Sequence, residues 1–192
     1  TSLRIGRAGH VMAALFGIPQ FCLNFNFVYP AELHVTSGLV ATVFALLIIP
    51  NSLLGWAFLG YKPSSRFAIA SLFAIAGVGL LFAHEIGEHP ARSQAILAGI
   101  GFTLIGVLGA SAANVYQARE SVKRFPLFAL LAWAMLFGAV FDSLIALALH
   151  GPPVVETRVG YWLGLAYLAL FASALAFSLY LPVVRKIGPG KA

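Results

Sequence analysis

The pattern of apolar and polar positions divides the chain into six long apolar runs joined by short polar connections. The runs cover roughly residues 9–29, 34–59, 66–84, 94–117, 126–149 and 160–183. Each has about the 20 residues that a helix needs to cross a hydrocarbon layer about 30 Å thick. Lipid gives backbone groups no hydrogen-bond partner, and the runs are roughly twice as long as barrel strands and lack their alternation. The pattern therefore predicts an all-α fold, a polytopic bundle of six transmembrane helices.

Charged residues in the connections predict how the chain crosses the membrane. Basic residues occupy alternate connections and the two ends of the chain: Arg4, Arg7, Lys62, Arg66, Arg119, Lys123, Arg124, Arg185, Lys186 and Lys191. The other connections carry Glu32, Glu85, Glu88, Glu156 and only two basic residues, Arg92 and Arg158. By the positive-inside rule the first set is cytoplasmic. We therefore expect a multi-pass protein of the bacterial inner (plasma) membrane with both ends of this chain in the cytoplasm.

Composition supports the membrane assignment and limits the partners. Apolar residues make up 60% of the chain and charged residues 9%, whereas about a quarter of a soluble domain is charged. The net charge of +6 lies in short loops, where it sets topology and meets lipid headgroups, so the bilayer is a partner and nucleic acid is not. Because the chain begins with Thr1 rather than Met and ends without a polar tail, we expect a fragment of a longer protein whose remaining helices are further partners.

Amide side chains in the first run predict a polar face inside the bundle. Gln20 and Asn24 share one helical face, whereas Asn26 points elsewhere and is expected to be structural. Amides are too costly to expose to lipid. They therefore look into the bundle, where they either hold helices together or line a polar cavity, and both interpretations stay open.

A second polar stripe lies in the fourth run. Ser111, Asn114 and Gln117 follow one another at spacings of three and so share a face. In the second run, Asn51 comes directly after Pro50, which removes a backbone hydrogen bond and bends the helix. Two helices with amide stripes at mid-depth are what the walls of a solute pathway would present. Helix packing alone is the alternative.

Two features invite a catalytic or coupling interpretation. Asp142 is an acid inside the fifth run, but it lies close enough to the outer interface for a hydrogen bond to Ser143 or to another helix to explain it. His84-Glu85-Ile86-Gly87-Glu88-His89 resembles a zinc-protease motif, but that motif needs histidines four apart and here they are five apart. Because Gly87 and Pro90 are expected to end the helix there, we read 84–89 as an interfacial loop and predict no metal, no cofactor, no catalytic residue and no enzyme.

Small residues four apart favour close helix packing in three of the runs. Gly106 and Ala110 lie in run four, Ala134 and Gly138 in run five, and Gly160 and Gly164 in run six. Residues of this size let helix backbones approach, which is the main way helices associate in lipid.

Three stretches resemble the EamA-type exporters of the drug/metabolite transporter superfamily. Residues 161–192, with the aromatic Tyr180, a basic pair and the ending Ile-Gly-Pro-Gly-Lys-Ala, resemble that family's eighth helix and the loop after it. Residues 34–84, with Ser37-Gly38, Pro50 and a basic turn, resemble its fourth and fifth helices. Residues 128–142, with Ala132-Trp133-Ala134, resemble the seventh.

The resemblance implies the domain organisation. Such proteins have ten helices in two inverted repeats of five, so this chain would supply helices three to eight. Residues 1–90 would then be the latter part of the first repeat and 91–192 the first part of the second, with three helices each. An inverted repeat pairs run one with run six. At an offset of 151, Gly9 meets Gly160, Tyr29 meets Tyr180 and Ala41 meets Ala192.

The resemblance also implies a function, a secondary transporter that exports small metabolites such as amino acids by alternating access around a mid-membrane cavity. By helix, it implies these substrate-binding residues: Gln20, Asn24, Ser37, Asn51, Ser111, Asn114, Tyr167, Phe171 and Ser173. The substrate is a small molecule, for which the chain shows no specific motif. The main alternative is a non-transporting helical assembly or regulatory subunit in which the amides only hold helices together. An intramembrane enzyme is the second.

Overall fold

The computed structural model describes residues 3–191, and within them the prediction of an all-α bundle with six membrane-spanning helices is confirmed. The spans are long and apolar enough to cross a bilayer. Numbered 1 to 6 in chain order, they are Gly6–Glu32, Ser37–Leu59, Ser65–Glu88, Pro90–Gln117, Leu127–His150 and Val159–Ile187. Spans 1, 3, 4 and 6 are a few residues longer than their apolar runs because residues at their ends stay helical, whereas span 2 begins three residues after its run.

Several spans contain more than one helical segment. The α-helices, α1 to α10 in chain order, are Gly6–Gly17, Asn24–Glu32, Ser37–Ala45, Ile48–Leu59, Ser65–Glu88, Ser93–Gln117, Glu120–Lys123, Leu127–His150, Val159–Tyr167 and Ala176–Ile187. A π-helical segment at Ile18–Leu23 joins α1 to α2, and another at Leu168–Leu175 joins α9 to α10. A single 3₁₀ turn, Pro90–Arg92, precedes α6.

Span 4 lies at the centre of the bundle. It packs against spans 1 and 2 and touches the end of span 6, while span 1 also packs along span 5. In span 4, 44% of the most apolar stretch is buried, against 6% in span 3 and 11% in span 6. Spans 3 and 6 are therefore peripheral in this structure. We call the end of the bundle where spans 2, 4 and 6 finish the basic face, because Lys62, Arg119 and Lys186 lie there.

Glycines allow span 1 to approach its two neighbours closely. A Cβ atom at Gly17 would lie 2.1 Å from the backbone oxygen of Ala134 in span 5, and one at Gly138 would lie 2.4 Å from the Cβ of Phe21. On the other side, Gly106 of span 4 faces Asn24. Any larger side chain at these positions would push the helices apart, as expected for small residues at a membrane helix interface.

Span 2 is broken between α3 and α4, at Leu46 and Leu47. The backbone N–H groups of both residues bond three residues back, to Val43 and Phe44, instead of four. Pro50 follows closely, and its ring cannot tolerate the carbonyl four residues before it in a regular helix. The break therefore lies at the residue whose carbonyl the proline ring would meet, which is the place where the sequence predicts a bend.

The π-helical segments interrupt spans 1 and 6 near their middles. In span 1 the segment begins beside Pro19, whose missing N–H removes an ordinary helical bond. In span 6 no proline lies within Leu168–Leu175. π-Helical turns inside α-helices are uncommon and occur frequently at functional sites.

Two local predictions are wrong. Gly160 and Gly164 do not pack against a described helix, since a Cβ at either would meet no atom within 4 Å. The stretch from His84 to Glu88 is not a loop, because α5 continues to Glu88 and only His89 leaves the helical conformation. Gly87 costs a helix little when it lies in the last turn.

Candidate functional site

Three polar side chains from spans 2, 4 and 6 meet inside the bundle near the basic face. The side-chain amide of Asn114 donates to the hydroxyl of Tyr180 at 3.2 Å and to Oδ1 of Asn51 at 3.5 Å. Asn51 and Asn114 are buried, and Oδ1 of Asn114 has no described partner. A buried acceptor without a partner is costly, so this oxygen is available to a donor on a solute or a water.

The cluster of Asn51, Asn114 and Tyr180, here called the amide–phenol cluster, is not at the mid-depth expected for it. Its residues lie eight, three and seven positions before the ends of their helices. At 1.5 Å per residue this is about 5–12 Å from the basic face.

A cavity of about 630 Å³ leads from the basic face to Asn51. Its volume lies within the roughly 300–1,000 Å³ typical of small-molecule sites. The walls come from the end of span 2, the connection to span 3 with the first turn of that span, and the end of span 6 with the residues after it: Asn51, Ser52, Gly55, Gly60, Tyr61, Lys62, Pro63, Ser64, Phe67, Lys186, Ile187, Gly188, Gly190 and Lys191.

The segment after span 6 closes one side of this cavity. Gly188 has a φ of +89°, a conformation that favours glycine, and a Cβ there would come within 3.1 Å of the Tyr61 ring. The hydroxyl of Ser52 donates to the backbone oxygen of Gly190 at 3.3 Å. The Gly-Pro-Gly turn is therefore held against the end of span 2, which gives the cavity a fixed wall.

Arg185 ties span 6 to two other parts of the basic face. Its Nε donates to Oε1 of Gln117 at 3.0 Å, and its Nη1 donates to the backbone oxygen of Phe125, also at 3.0 Å. The Arg185 Nη2 and Gln117 Nε2 atoms are buried without a described partner. This cation thus connects the ends of spans 4 and 6 and the start of span 5 without a described carboxylate beside it.

The predicted residues of spans 1 and 4 are buried but separate from the cavity wall. Gln20, Asn24 and Ser111 each hold a buried side-chain oxygen without a described partner. Asn24 lies against Gly106, where its side chain fills the space left by the missing Cβ. Their inward direction agrees with the sequence interpretation, and the choice between cavity and helix packing stays a prediction.

The four other predicted residues outside the amide–phenol cluster lie in spans 2 and 6. Ser37 is exposed at the start of α3, at the opposite end of span 2 from Asn51. Tyr167 and Phe171 are 62% and 54% exposed and stack on each other, and Ser173 is half-buried. Tyr167 lies thirteen positions from Tyr180, about 20 Å along a helix. These three residues of span 6 therefore lie apart from the cluster, and their contact with a substrate stays a prediction.

Asn26 and Asp142 form a separate polar link between spans 1 and 5. The Asn26 amide donates to the Asp142 carboxyl and also to the backbone oxygen of Cys22. The structural role expected of Asn26 and the interhelical bond considered for Asp142 agree with this contact. Because the acid is paired with an amide of a neighbouring helix, the packing interpretation explains why it lies inside the membrane.

Several residues of the cavity and its surroundings were missed from sequence. In the sequence, Tyr180 stands out only as part of the family resemblance, and Lys62, Lys186 and Lys191 stand out as basic residues that set topology or carry the resemblance. A Tyr seven residues before a basic helix end is one to two turns inside the bilayer. This depth is the signal in the sequence from which Tyr180 could have been placed inside the bundle rather than at the interface.

These side chains can bind and position a solute by hydrogen bonds and charge. The amide–phenol cluster offers an unpartnered carbonyl oxygen and a phenol, and the lysines offer positive charge. Among residues 3–191 no group of three His, Cys, Asp or Glu side chains is placed to hold a metal ion.

Comparison with known proteins gives one match. The sequence model of the EamA-like transporter family matches residues 94–192, slightly more than half of the chain, and this stretch contains Asn114, Tyr180, Arg185 and two of the three lysines. No curated protein and no solved structure matches the chain. The match agrees with the helical membrane fold, and the chain belongs to the EamA-like transporter family.

Proposed function

We propose that this chain forms part of a secondary transporter that exports small metabolites, such as amino acids, by alternating access. The basic face is cytoplasmic in this proposal, because basic loops stay on that side. The observation that supports it best is the cavity of about 630 Å³, which opens at the basic face and ends at the buried Asn51. A pathway from the cytoplasm needs an opening there and polar groups below it.

The amide–phenol cluster is the proposed contact for the polar part of the solute. Asn114 uses both N–H groups on Asn51 and Tyr180, so its remaining group is the unpartnered carbonyl oxygen. That oxygen accepts from a solute ammonium or hydroxyl group. The three residues come from three different spans, so movement of one span relative to the others would break the cluster, as alternating access requires.

Two inverted repeats, within residues 1–90 and 91–192, are part of the proposal. The support is the position of the π-helical segments. Shifted by the offset of 151 found in the sequence, Ile18–Leu23 falls on 169–174, inside the segment Leu168–Leu175. Corresponding irregular segments in the two halves are common in transporters built from inverted repeats.

The alternative is a helical assembly that moves no solute. The observation that favours it is that both N–H groups of Asn114 already have protein partners, as they would if they only held helices together. In that case, substituting Asn114 changes stability and leaves no transport to lose.

Efflux of labelled amino acids from cells that express the complete gene product tests the proposal. We expect Asn114→Leu to lower efflux of the transported solute about tenfold or more, the effect of losing a hydrogen bond of about 1.5–3 kcal/mol to a charged group. Thr103→Val is the matched control, because Thr103 is buried in the same span and bonds only the oxygen of Gly99. Absence of efflux for every solute, with Asn114→Leu only less stable, would favour the non-transporting assembly.

A further inference from the structure

Three lysines from distant parts of the chain line the same cavity. Lys62 lies in the connection between spans 2 and 3, whereas Lys186 and Lys191 lie at and after the end of span 6. Topology requires basic residues in these connections, but it does not require that they converge. The Gly-Pro-Gly turn brings them together, because it places Gly190 against Ser52 and Gly188 against Tyr61.

The charge in this cavity is uncompensated by its own walls. None of the described residues that line it is acidic, and none of the three lysines forms an ion pair with a described carboxylate. A concave site lined by charges of one sign concentrates ions of the opposite sign. Asn51 at its inner end connects this positive region to the amide–phenol cluster.

We propose that the cavity is a binding site for an oxyanion, a carboxylate or phosphate group, held by Lys62, Lys186 and Lys191. The volume of about 630 Å³ is much larger than a phosphate ion, so the oxyanion is one end of a larger molecule whose other end reaches toward Asn51. The inference rests on the proposed transport for its functional meaning: the carried solutes are anions or zwitterions that enter by their acidic group. The same chemistry is present in the headgroups of acidic lipids.

A thiol placed in the cavity reports its occupancy. Ser64→Cys is made in the complete protein without other cysteines, including Cys22→Ala, and the protein is placed in phosphatidylcholine nanodiscs. Ser64 lines the cavity and is exposed, while Ser121, exposed in another connection of the basic face, serves as the matched position for Ser121→Cys. The rate of modification by an anionic methanethiosulfonate reagent is compared with that by a cationic one. We expect the ratio of the anionic rate to the cationic rate to be about tenfold higher at Ser64→Cys than at Ser121→Cys.

Competition then identifies the source of the oxyanion. Inorganic phosphate at about twice its Kd should slow the reaction at Ser64→Cys about threefold relative to sodium chloride of equal ionic strength, and leave Ser121→Cys unaffected. If phosphatidylglycerol in the nanodisc slows it without phosphate, the oxyanion is a lipid headgroup. Lys62→Gln with Lys186→Gln should abolish either effect. The proposal would be overturned if neither phosphate nor phosphatidylglycerol changed the rate at Ser64→Cys, or if either slowed it equally in the double lysine variant.

The efflux experiment separates this inference from the proposed function. If the protein exports amino acids but neither phosphate nor acidic lipid slows thiol modification, the oxyanion site is refuted and the proposed transport stands. If phosphate or acidic lipid slows thiol modification but the protein exports no solute, the oxyanion site stands and the proposed transport is refuted.

Discussion

Spans 1 and 6 contain the same irregularity in different surroundings. Each has a π-helical segment near its middle, but Gln20, Phe21 and Cys22 are buried in the first, whereas no residue is buried in the second. Pro19 accounts for the segment in span 1, and span 6 has no proline in its segment. Similar backbone geometry thus arises from a local covalent cause in one span and not in the other. From this comparison we expect the loss of stability on substitution to depend more on the packing around a helix than on the shape of its backbone.

A pair of glycine substitutions gives the largest expected difference between the two spans. Gly17→Ala forces a methyl group onto the backbone oxygen of Ala134, and we expect it to lower the free energy of unfolding by about 3 kcal/mol. Gly164→Ala in span 6 meets no described atom and should be neutral or stabilising by about 0.5–1 kcal/mol. Thermal unfolding in detergent micelles measures both. Equal effects would show that span 6 is packed as tightly as span 1.

The polar link of span 1 gives an intermediate effect. Asn26→Leu removes the donor to Asp142 and leaves a carboxyl in a membrane span without that partner, so we expect a loss of about 2 kcal/mol. A double-mutant cycle with Asp142→Leu should show that the two losses are not additive. Ser173→Ala, which removes a half-buried hydroxyl from the π segment of span 6, is the control and should change stability by less than about 0.5 kcal/mol. Additive losses would mean that the two side chains do not interact.

Two tyrosines sharpen the comparison within span 6 and give the smallest effect. Tyr180→Phe removes the acceptor of Asn114 and should cost about 1 kcal/mol and reduce efflux. Tyr167→Phe changes a side chain that is 62% exposed and should leave stability and efflux unchanged. Measured side by side, equal loss of efflux in the two variants would show that the solute also contacts the exposed part of span 6.

The sequence predicted the helices well and the faces of the outer helices poorly. Six spans followed from hydropathy, and the bend at Pro50 followed from a missing N–H, because both are local properties. Asn51 and Asn114 could be proposed because an amide in a membrane must avoid lipid. Tyr167 and Tyr180, in contrast, have the same chemistry, and only the packing of α10 against spans 4 and 5 distinguishes them. That contact depends on residues far away in the chain.

The cavity could not be predicted for a similar reason. Lys62 and Lys186 had an adequate explanation as topology signals, so nothing in their pattern required a second role. Their convergence depends on the left-handed backbone at Gly188 and on the fit of Gly190 against Ser52. A single sequence shows the glycines but not what they contact.

The three residues of the amide–phenol cluster are also synthesised at different times. The chain is synthesised from its N-terminus, so Asn51 is already in the membrane when Asn114 emerges, and Tyr180 follows 66 residues later. At roughly 5–20 residues per second, this interval is about 3–13 s. During that interval only Asn51, of the two partners of Asn114, has been synthesised, and Gln117 does not yet have Arg185 as a donor. Span 6 therefore completes this polar cluster, and a chain interrupted before it would leave Asn114 and Gln117 without these partners.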